Sequence, residues 1–411
     1  HRPRATGVAR REVFGGAAGL AAAGALAACN TGSESRYRPS GTIGRQRIAR
    51  VFDDPVLEAG RLLKEAAEIE HDLMVQYLYA AFSLKPSFAE LVGYGAPEPT
   101  SVLGVAIQEM QHLRAVNSLL SELGYAPVLS RHDFPEEVSI YPFQFRLEPM
   151  SRESLAKYVY CEAPVDALVA HNLQDELFIR KLSAAIGDDP RPNHVGSLYD
   201  AVIDVVAEVG SSSDLLANPD QWLADLNAIK GEGERDHYLF FRGLFESTNP
   251  LLSGPDAQID VWSLGKTHAH YPALDLLSDP TAYPGNPRSI EDPSARSLAW
   301  LGNLTYWLTL AVLDLGYRDR RLDTRPVVQG LMLGPLQSIA RALPAHGVGL
   351  PFDPLSMSGH LCPSRSCGLR AARRIGQEAL SLARAEAAAL PADFPIEAIE
   401  QALAEIETWR V

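Results

Sequence analysis

Two Glu-x-x-His pairs, interleaved with two single glutamates, most constrain how this chain can fold. Each of these residues lies among apolar residues at three-to-four spacing, which predicts a helix face turned towards a core. Positions i and i+3 share a helix face, so each pair aims one carboxylate and one imidazole at the same point. In chain order, the six residues are Glu70, Glu109, His112, Glu162, Glu234 and His237.

Several carboxylates facing one core require a compensating positive charge. Burying a single unpaired carboxylate costs on the order of several kcal/mol. Two divalent metal ions supply that charge, and their known ligand set is one glutamate from each of two helices plus Glu-x-x-His from each of two others. Mixed oxygen and nitrogen ligands suit iron, with manganese or a mixed iron–manganese pair as alternatives. The pattern therefore predicts two iron ions inside a helical bundle.

Two of the predicted ligands have alternatives in the sequence. Glu232 lies two residues before Glu234, and either glutamate can accompany the histidine of the second pair. Pro164 closely follows Glu162 and disfavours a regular helix at that point. Two other glutamates could take the place of Glu162, namely Glu153 and Glu176. The sequence around each of them is more typical of a carboxylate on the protein surface.

Apolar periodicity predicts helices along most of the chain and no multi-stranded sheet. The predicted helices cover 54–84, 100–123, 151–185 with a bend at Pro164, 196–209, 233–245, 295–315, 325–343, 370–388 and 395–409. Residues 131–149 contain three prolines and are predicted to form a long crossover along the bundle. The predicted class is all-α: a four-helix bundle with a long crossover and additional C-terminal helices.

Residues 1–29 have the layout of an export signal. Arg10 and Arg11 precede a small, uncharged, apolar run over 15–28, which is shorter than the roughly 20 residues of a membrane span. The arginine pair favours the twin-arginine route, and the run ends in a sequence that resembles a bacterial lipobox, which predicts lipidation at Cys29. Polar residues 30–50 are predicted to be a flexible linker. We therefore predict an exported, periplasmic or cell-envelope protein that meets the membrane only through a lipid anchor.

Charge and cysteine usage narrow the class of protein further. The formal net charge of −14 argues against a nucleic-acid partner, because phosphate backbones require a basic face. Cys362 and Cys367 are five residues apart, and in an exported protein a disulfide between them is the default prediction. Cys161 is predicted to be a small core residue rather than a reactive thiol.

Several segments resemble a known family. The twelve residues from Glu70 to Ala81 resemble the opening helix of the ferritin-like domain in iminophenyl-pyruvate dimer synthases of violacein-type pathways. The segment from Glu109 to Leu113 resembles the second helix of that domain. Later landmarks match in the same order: Glu162-Ala163-Pro164, Gly196-Ser197-Leu198-Tyr199, Gly231-Glu232-Gly233 and His237-Tyr238.

This resemblance covers about 51–246 and, more loosely, the helices beyond residue 301. It implies a ferritin-like bundle over 51–250, a helical extension over 251–411 and an oxidative role. The metal ligands that it implies are Glu70, Glu109, His112, Glu162, either Glu232 or Glu234, and His237. The violacein-type synthases are much larger and act on cytoplasmic imines derived from amino acids, whereas this chain carries a predicted export signal. The resemblance therefore does not extend to their substrate.

The function predicted from these features is that of a di-iron oxidoreductase. It would use O₂ to oxidise a small organic substrate, either an amine or an aromatic compound, with Tyr77 lining the pocket and an unidentified electron donor. One alternative is an exported ferroxidase or metal-handling protein without an organic substrate. Another is a non-catalytic, ferritin-like surface lipoprotein that binds no metal after export.

Overall fold

The computed structural model describes residues 48–132, 140–141, 143–187, 195–253, 259–354 and 364–409. Within these ranges the chain is helical, and strand-type pairing is limited to two isolated bridges, Leu84 with Ala273 and Thr281 with Ser289. The all-α prediction is therefore confirmed. The predicted export signal with Cys29, most of the predicted linker, and Cys362 lie outside the described residues.

Twelve α-helices of six or more residues account for most of the described chain. They are α1 Pro55–Ser83, α2 Val102–Glu122, α3 Arg152–Glu162, α4 Leu173–Ile186, α5 Val195–Ser212, α6 Pro219–Gly231, α7 Tyr238–Phe245, α8 Pro293–Arg318, α9 Arg325–Leu331, α10 Gln337–Ala342, α11 Arg365–Ala385 and α12 Ile396–Thr408. Two four-residue helices, Ala89–Val92 and Pro250–Ser253, and several single 3₁₀ turns lie between them.

The first two long helices begin at side-chain caps that their sequences supply. Asp54 accepts hydrogen bonds from the backbone N–H groups of Val56 and Leu57, and Pro55 occupies the first turn of α1. The Ser101 hydroxyl oxygen accepts from the backbone N–H of Gly104 at the start of α2. α1 packs extensively on both α2 and α5, while α3 packs on α7. Together these helices enclose the N-terminal core.

The prediction of one continuous helix over 151–185 is wrong. The chain forms α3, a 3₁₀ turn at Val165–Leu168, and then α4. Pro164 provides no N–H for a continuing helix, and the Asn172 side chain accepts from two backbone N–H groups to begin α4 anew. The sequence predicted a bend at this proline, whereas the structure has a break.

The predicted regular helix over 233–245 is also wrong at its N-terminal end. A π-helical segment, Glu232–His237, joins α6 to α7 without an interruption of the backbone. Its i→i+5 hydrogen bonds widen the turn by one residue. The neighbours of His237 on its own helix face therefore differ from those that α-helical spacing predicts.

The C-terminal half packs around α8. This helix contacts α11, which in turn packs on α12. The predicted helix over 325–343 is instead α9, a π-helical segment at Met332–Leu336 and α10, because Gly334 has non-helical φ/ψ values and Pro335 follows it. The Tyr306 hydroxyl on α8 lies 2.6 Å from His71 Nε2 on α1, which ties the two halves together.

α8 also has the length and composition that a membrane-spanning helix would need. Among the described residues it alone meets both criteria, with a mean hydropathy of 1.2 over its most apolar stretch. In the structure, 89% of that stretch is buried inside the protein. The burial is that of a helix at the centre of a core.

Candidate metal centre

Four structural elements bring five of the predicted ligands to one point in the core. α1 contributes one glutamate, α2 a glutamate and a histidine, α3 a glutamate at its C-terminal end, and the π-helical segment a histidine. All five side chains are buried, with at most 5% of any residue exposed. They are Glu70, Glu109, His112, Glu162 and His237.

The five side chains form two three-residue groups that share Glu109. Each group places three candidate ligand atoms within 4.8 Å of one another. Glu109 Oε2 lies 3.0 Å from His112 Nδ1, and Nδ1 lies 3.4 Å from Glu70 Oε2. Glu109 Oε1 lies 2.9 Å from His237 Nδ1, and Nδ1 lies 3.6 Å from Glu162 Oε2. One carboxylate thus faces both groups, as a bridge between two metal ions would.

A tyrosine holds each of the two outer glutamates. The Tyr199 hydroxyl on α5 donates to Glu70 Oε1, and the Tyr77 hydroxyl on α1 donates to Glu162 Oε1. In both cases Oε2 is the oxygen that faces a histidine. Each tyrosine therefore occupies one carboxylate oxygen and leaves the other available to a cation. Tyr77, predicted to line the pocket, contacts the candidate ligand Glu162 directly.

The outward-facing nitrogens of both histidines have hydrogen-bond partners. His112 Nε2 lies 3.1 Å from Glu232 Oε2, and His237 Nε2 lies 3.2 Å from Gln108 Oε1. The Gln108 amide also donates to Glu232 Oε2 at 3.2 Å. Such partners fix the tautomer that leaves Nδ1 free to bind metal. The sequence analysis missed Gln108, although it directly precedes Glu109.

The structure separates the two glutamates that compete for the fourth carboxylate position. Glu232 lies against the outer nitrogen of His112, whereas Glu234 pairs with Lys230 at 2.8 Å. Glu234 also lines the cavity beside the centre, where a Cβ added to Gly196 would lie 2.3 Å from its Oε1. That either glutamate binds a metal ion stays a prediction. Helical i,i+3 spacing predicts Glu234 beside His237, but the π-helical turn changes that spacing and Glu234 pairs with Lys230 instead.

The electrostatics of the centre favour added positive charge. Burial and the nearby Glu109 together raise the pKa of Glu70 to about 8, against the lowering effect of His112. Burial alone would lower the pKa of His237, but Glu109 and Glu162 raise it to about 10. Glu109 likewise raises the pKa of His112 well above its usual range, against the effect of burial. Burial opposes the ionised form of Glu109, yet the two histidines lower its pKa. Both histidine shifts thus favour positive charge beside these carboxylates.

Hydrogen bonds leave three buried polar atoms of this site without a partner. Glu70 Oε2, Glu109 Oε1 and His237 Nδ1 are fully buried and have no hydrogen-bond partner among the described residues. Two of them lie only 2.9 Å apart without the geometry of a hydrogen bond. Leaving such groups unsatisfied costs about 1–3 kcal/mol each. Two divalent cations, one in each group, would satisfy all three atoms, so the residues present fit a dinuclear metal centre.

A small cavity adjoins four of the five candidate ligands, and these are Glu70, Glu109, His112 and Glu162. It measures about 20 Å³ as space for water centres, which is room for one or two water-sized molecules. Its apolar wall comes from Leu73, Val195 and Ile229, while Lys230 and Glu234 form a polar side. The cavity can therefore admit small diatomic or hydrated species next to the ligands.

The remaining predicted residues are not among the five converging side chains. Glu153 is exposed, and Glu176 forms a surface pair with Arg180, so the alternatives to Glu162 are not near the ligands. Cys161 is a buried free thiol in the cavity wall. Cys367 is disulfide-bonded, but Cys362 lies outside the described residues, so their pairing stays a prediction.

The described chain is all-α, and the part that carries the carboxylate–histidine site is similar to a known family. Residues 63–241 match the sequence model of the family described as "Ferritin-like". These residues contain all five converging ligands and both tyrosines. The resemblance drawn from the sequence is thereby confirmed.

Parts of this chain are similar in sequence to two curated proteins. It is 28% identical to dichlorochromopyrrolate synthase of Lentzea aerocolonigenes, over 70% of this chain and 27% of that protein. It is 31% identical to 2-imino-3-(indol-3-yl)propanoate dimerase of Chromobacterium violaceum, over 25% of this chain and 13% of that protein. The chain thus spans about a quarter or less of the curated relatives it matches. A solved ferritin-like protein from Caulobacter vibrioides is 15% identical, with a TM-score of 0.48, over 74% of this chain and 99% of that chain.

Proposed function

We propose that this protein is a di-iron oxidoreductase that uses O₂ to oxidise a small organic substrate. The observation that carries the proposal is the shared Glu109, whose two oxygens face two separate histidine–glutamate groups. The donor set combines carboxylate oxygens with imidazole nitrogens, a combination that suits iron and also manganese. When bound, a pair of irons would supply the redox chemistry that amino-acid side chains lack.

The protein's own residues would orient and insulate this chemistry. Tyr199 and Tyr77 each hold one oxygen of a glutamate, which limits the ways in which that carboxylate can turn. Leu73, Val195 and Ile229 form an apolar wall that keeps bulk water from one side of the cavity. A dry, pre-arranged site strengthens electrostatic interactions with whatever binds there.

The names of the relatives support an enzymatic role and a class of substrate. One is named a synthase and the other a dimerase of an indolyl imino acid. We extend to this chain only the class, an aromatic or nitrogen-containing small molecule, because it spans so little of either relative. The cavity of about 20 Å³ is too small for such a molecule. The substrate would therefore bind at its mouth, beside Lys230, or after α5 moves away from the π-helical segment.

Oxygen consumption by iron-loaded protein tests the proposal. Protein loaded with Fe(II) without oxygen would be mixed with O₂ in the presence of aromatic amines, imines and amino acids, with mass spectrometry of the products. We expect substrate-dependent O₂ uptake over many turnovers, which Glu109→Ala abolishes. Uptake that never depends on an organic compound would contradict the oxidoreductase proposal.

One observation favours a ferroxidase as the second candidate. A cavity for one or two water-sized molecules suits Fe(II) and O₂ without an organic partner. A ferroxidase would consume O₂ in proportion to added Fe(II) over repeated additions. The oxidoreductase would show a single iron-dependent burst and then require substrate.

A further inference from the structure

The inner ligands of the two candidate metal positions are matched in kind. The first position has Glu70, His112 and one oxygen of Glu109, while the second has Glu162, His237 and the other oxygen. Each outer glutamate also accepts one hydrogen bond from a buried tyrosine. Nothing in this inner set gives one position more charge than the other.

The hydrogen-bond partners of the histidines break this symmetry. His112 Nε2 faces the carboxylate of Glu232, whereas His237 Nε2 faces the neutral amide of Gln108. Glu232 is partly exposed, with 37% of its side chain accessible, so solvent weakens but does not remove the effect of its charge. A carboxylate partner makes a ligand imidazole a stronger donor than an amide partner does.

The two partners also contact each other. The Gln108 amide donates to the same Glu232 oxygen, Oε2, that faces His112. The amide group must therefore turn its oxygen to His237, because its nitrogen is already committed to Glu232. A continuous chain of hydrogen bonds thus runs outside the centre from one ligand histidine to the other.

We propose that Glu232 and Gln108 are positioning residues that make the two metal positions unequal, so that the His112 position fills first. Glu232 adds negative charge behind His112, and Gln108 holds His237 in the metal-binding tautomer without adding charge. This inference rests on the proposed metal centre. It adds the order in which the two positions bind metal, which the matched inner ligands alone do not predict.

Titration of the metal-free full chain with Mn²⁺, followed by calorimetry, measures the two affinities without redox chemistry. We expect two distinct binding steps in the wild type. Glu232→Gln should weaken the tighter step by about 10- to 100-fold and so bring the two steps together. Glu232→Asp should restore part of the separation. Glu400→Gln is the matched control, because this exposed carboxylate on α12 pairs with Arg384 and should leave both steps unchanged.

The position of the first bound ion distinguishes an effect on the order of metal binding from a general loss of structure. Crystals given less than one Mn²⁺ per chain should place the anomalous peak beside His112 in the wild type. Gln108→Leu should weaken the second step and leave the first ion in place. Equal steps in the wild type, or a first ion beside His237, would overturn the inference while leaving the metal centre intact. A wild type that binds no Mn²⁺ or iron would overturn the metal centre as well.

Discussion

Glu109 is the residue on which both candidate metal positions depend. Its oxygens lie 3.0 Å from His112 Nδ1 and 2.9 Å from His237 Nδ1, so no other ligand can replace it at both positions. Glu70 and Glu162 each serve a single position. Substitutions at these residues should therefore have unequal effects on metal content.

The first prediction concerns metal stoichiometry. Glu109→Gln should lose both metal ions, whereas Glu70→Gln should retain about one, because the group around Glu162 and His237 stays intact. Inductively coupled plasma mass spectrometry of purified, iron-loaded protein measures the content, and circular dichroism checks the fold. Equal losses in both variants would contradict a shared carboxylate.

The second prediction uses two neighbouring glycines. A Cβ added to Gly233 would lie 2.9 Å from Glu162 Oε2, the oxygen that faces His237. Gly233→Ala should displace that carboxylate and weaken metal binding by about 10-fold or more, the range expected when a supporting contact is lost. Gly231→Ala is the control, because a Cβ there meets nothing within 4 Å. If calorimetry finds the same affinity in both variants, Glu162 is not a ligand.

At this scale the sequence identified most of the residues that meet in the core. Spacing placed Glu70, Glu109 and His112 on inward faces because helical periodicity is a local property. Gln108 was missed because its partners, His237 and Glu232, lie more than 120 residues away in the chain. Such contacts depend on how helices are rotated against each other, which periodicity within one helix does not determine.

At the scale of single helices, the start of α1 follows from the sequence. Asp54 before Pro55 predicts the start of the helix, and the structure has the Asp54 side chain accepting from two backbone N–H groups there. The helix is central to the fold because it packs on α2 and α5 and carries Glu70.

The third prediction tests this N-cap. Asp54→Ala should lower the free energy of unfolding by about 1 kcal/mol, because two N–H groups lose their acceptor. Asp54→Asn should leave stability nearly unchanged, since an asparagine side chain caps about as well. Urea unfolding followed by circular dichroism measures both. Equal destabilisation in the two variants would show that the capping hydrogen bonds are not the cause.

The π-helical segments mark where helix prediction from this sequence fails. The sequence predicts a regular helix from residue 233 onwards, because nothing in Glu232–His237 distinguishes a π-helical turn from an α-helical one. A π-turn has an inferior backbone geometry on its own and persists because tertiary contacts favour it, here the placement of His237 among the ligands. The choice between Glu232 and Glu234 remained open in the sequence for the same reason.

For the whole molecule, the class of fold was predictable but the packing of the C-terminal half was not. The sequence predicts long helices beyond residue 295, and α8 forms there as a buried central helix. Nothing in the pattern indicates that His71, next to a predicted ligand, contacts Tyr306 across more than 230 residues of chain. The C-terminal helices therefore support the helix that carries Glu70.

We also propose that the protein is exported and lipid-anchored, and this is the fourth prediction. Cys29→Ser should abolish incorporation of labelled fatty acid in a bacterial host, because the thioether-forming thiol is gone. Replacing Arg10 and Arg11 with lysines should keep the protein in the cytoplasm, since a twin-arginine signal requires both. Cell fractionation measures the outcome. Fatty-acid labelling that survives Cys29→Ser would contradict the anchor.

The central claim, a dinuclear centre built around Glu109, is tested most directly by anomalous diffraction at the iron edge from crystals of the iron-loaded full chain. The account predicts two peaks, one between Glu70 and His112 and one between Glu162 and His237, with the Glu109 carboxylate between them. An iron-loaded protein with no peak at these residues, or with a single peak that Glu109 does not contact, would contradict it.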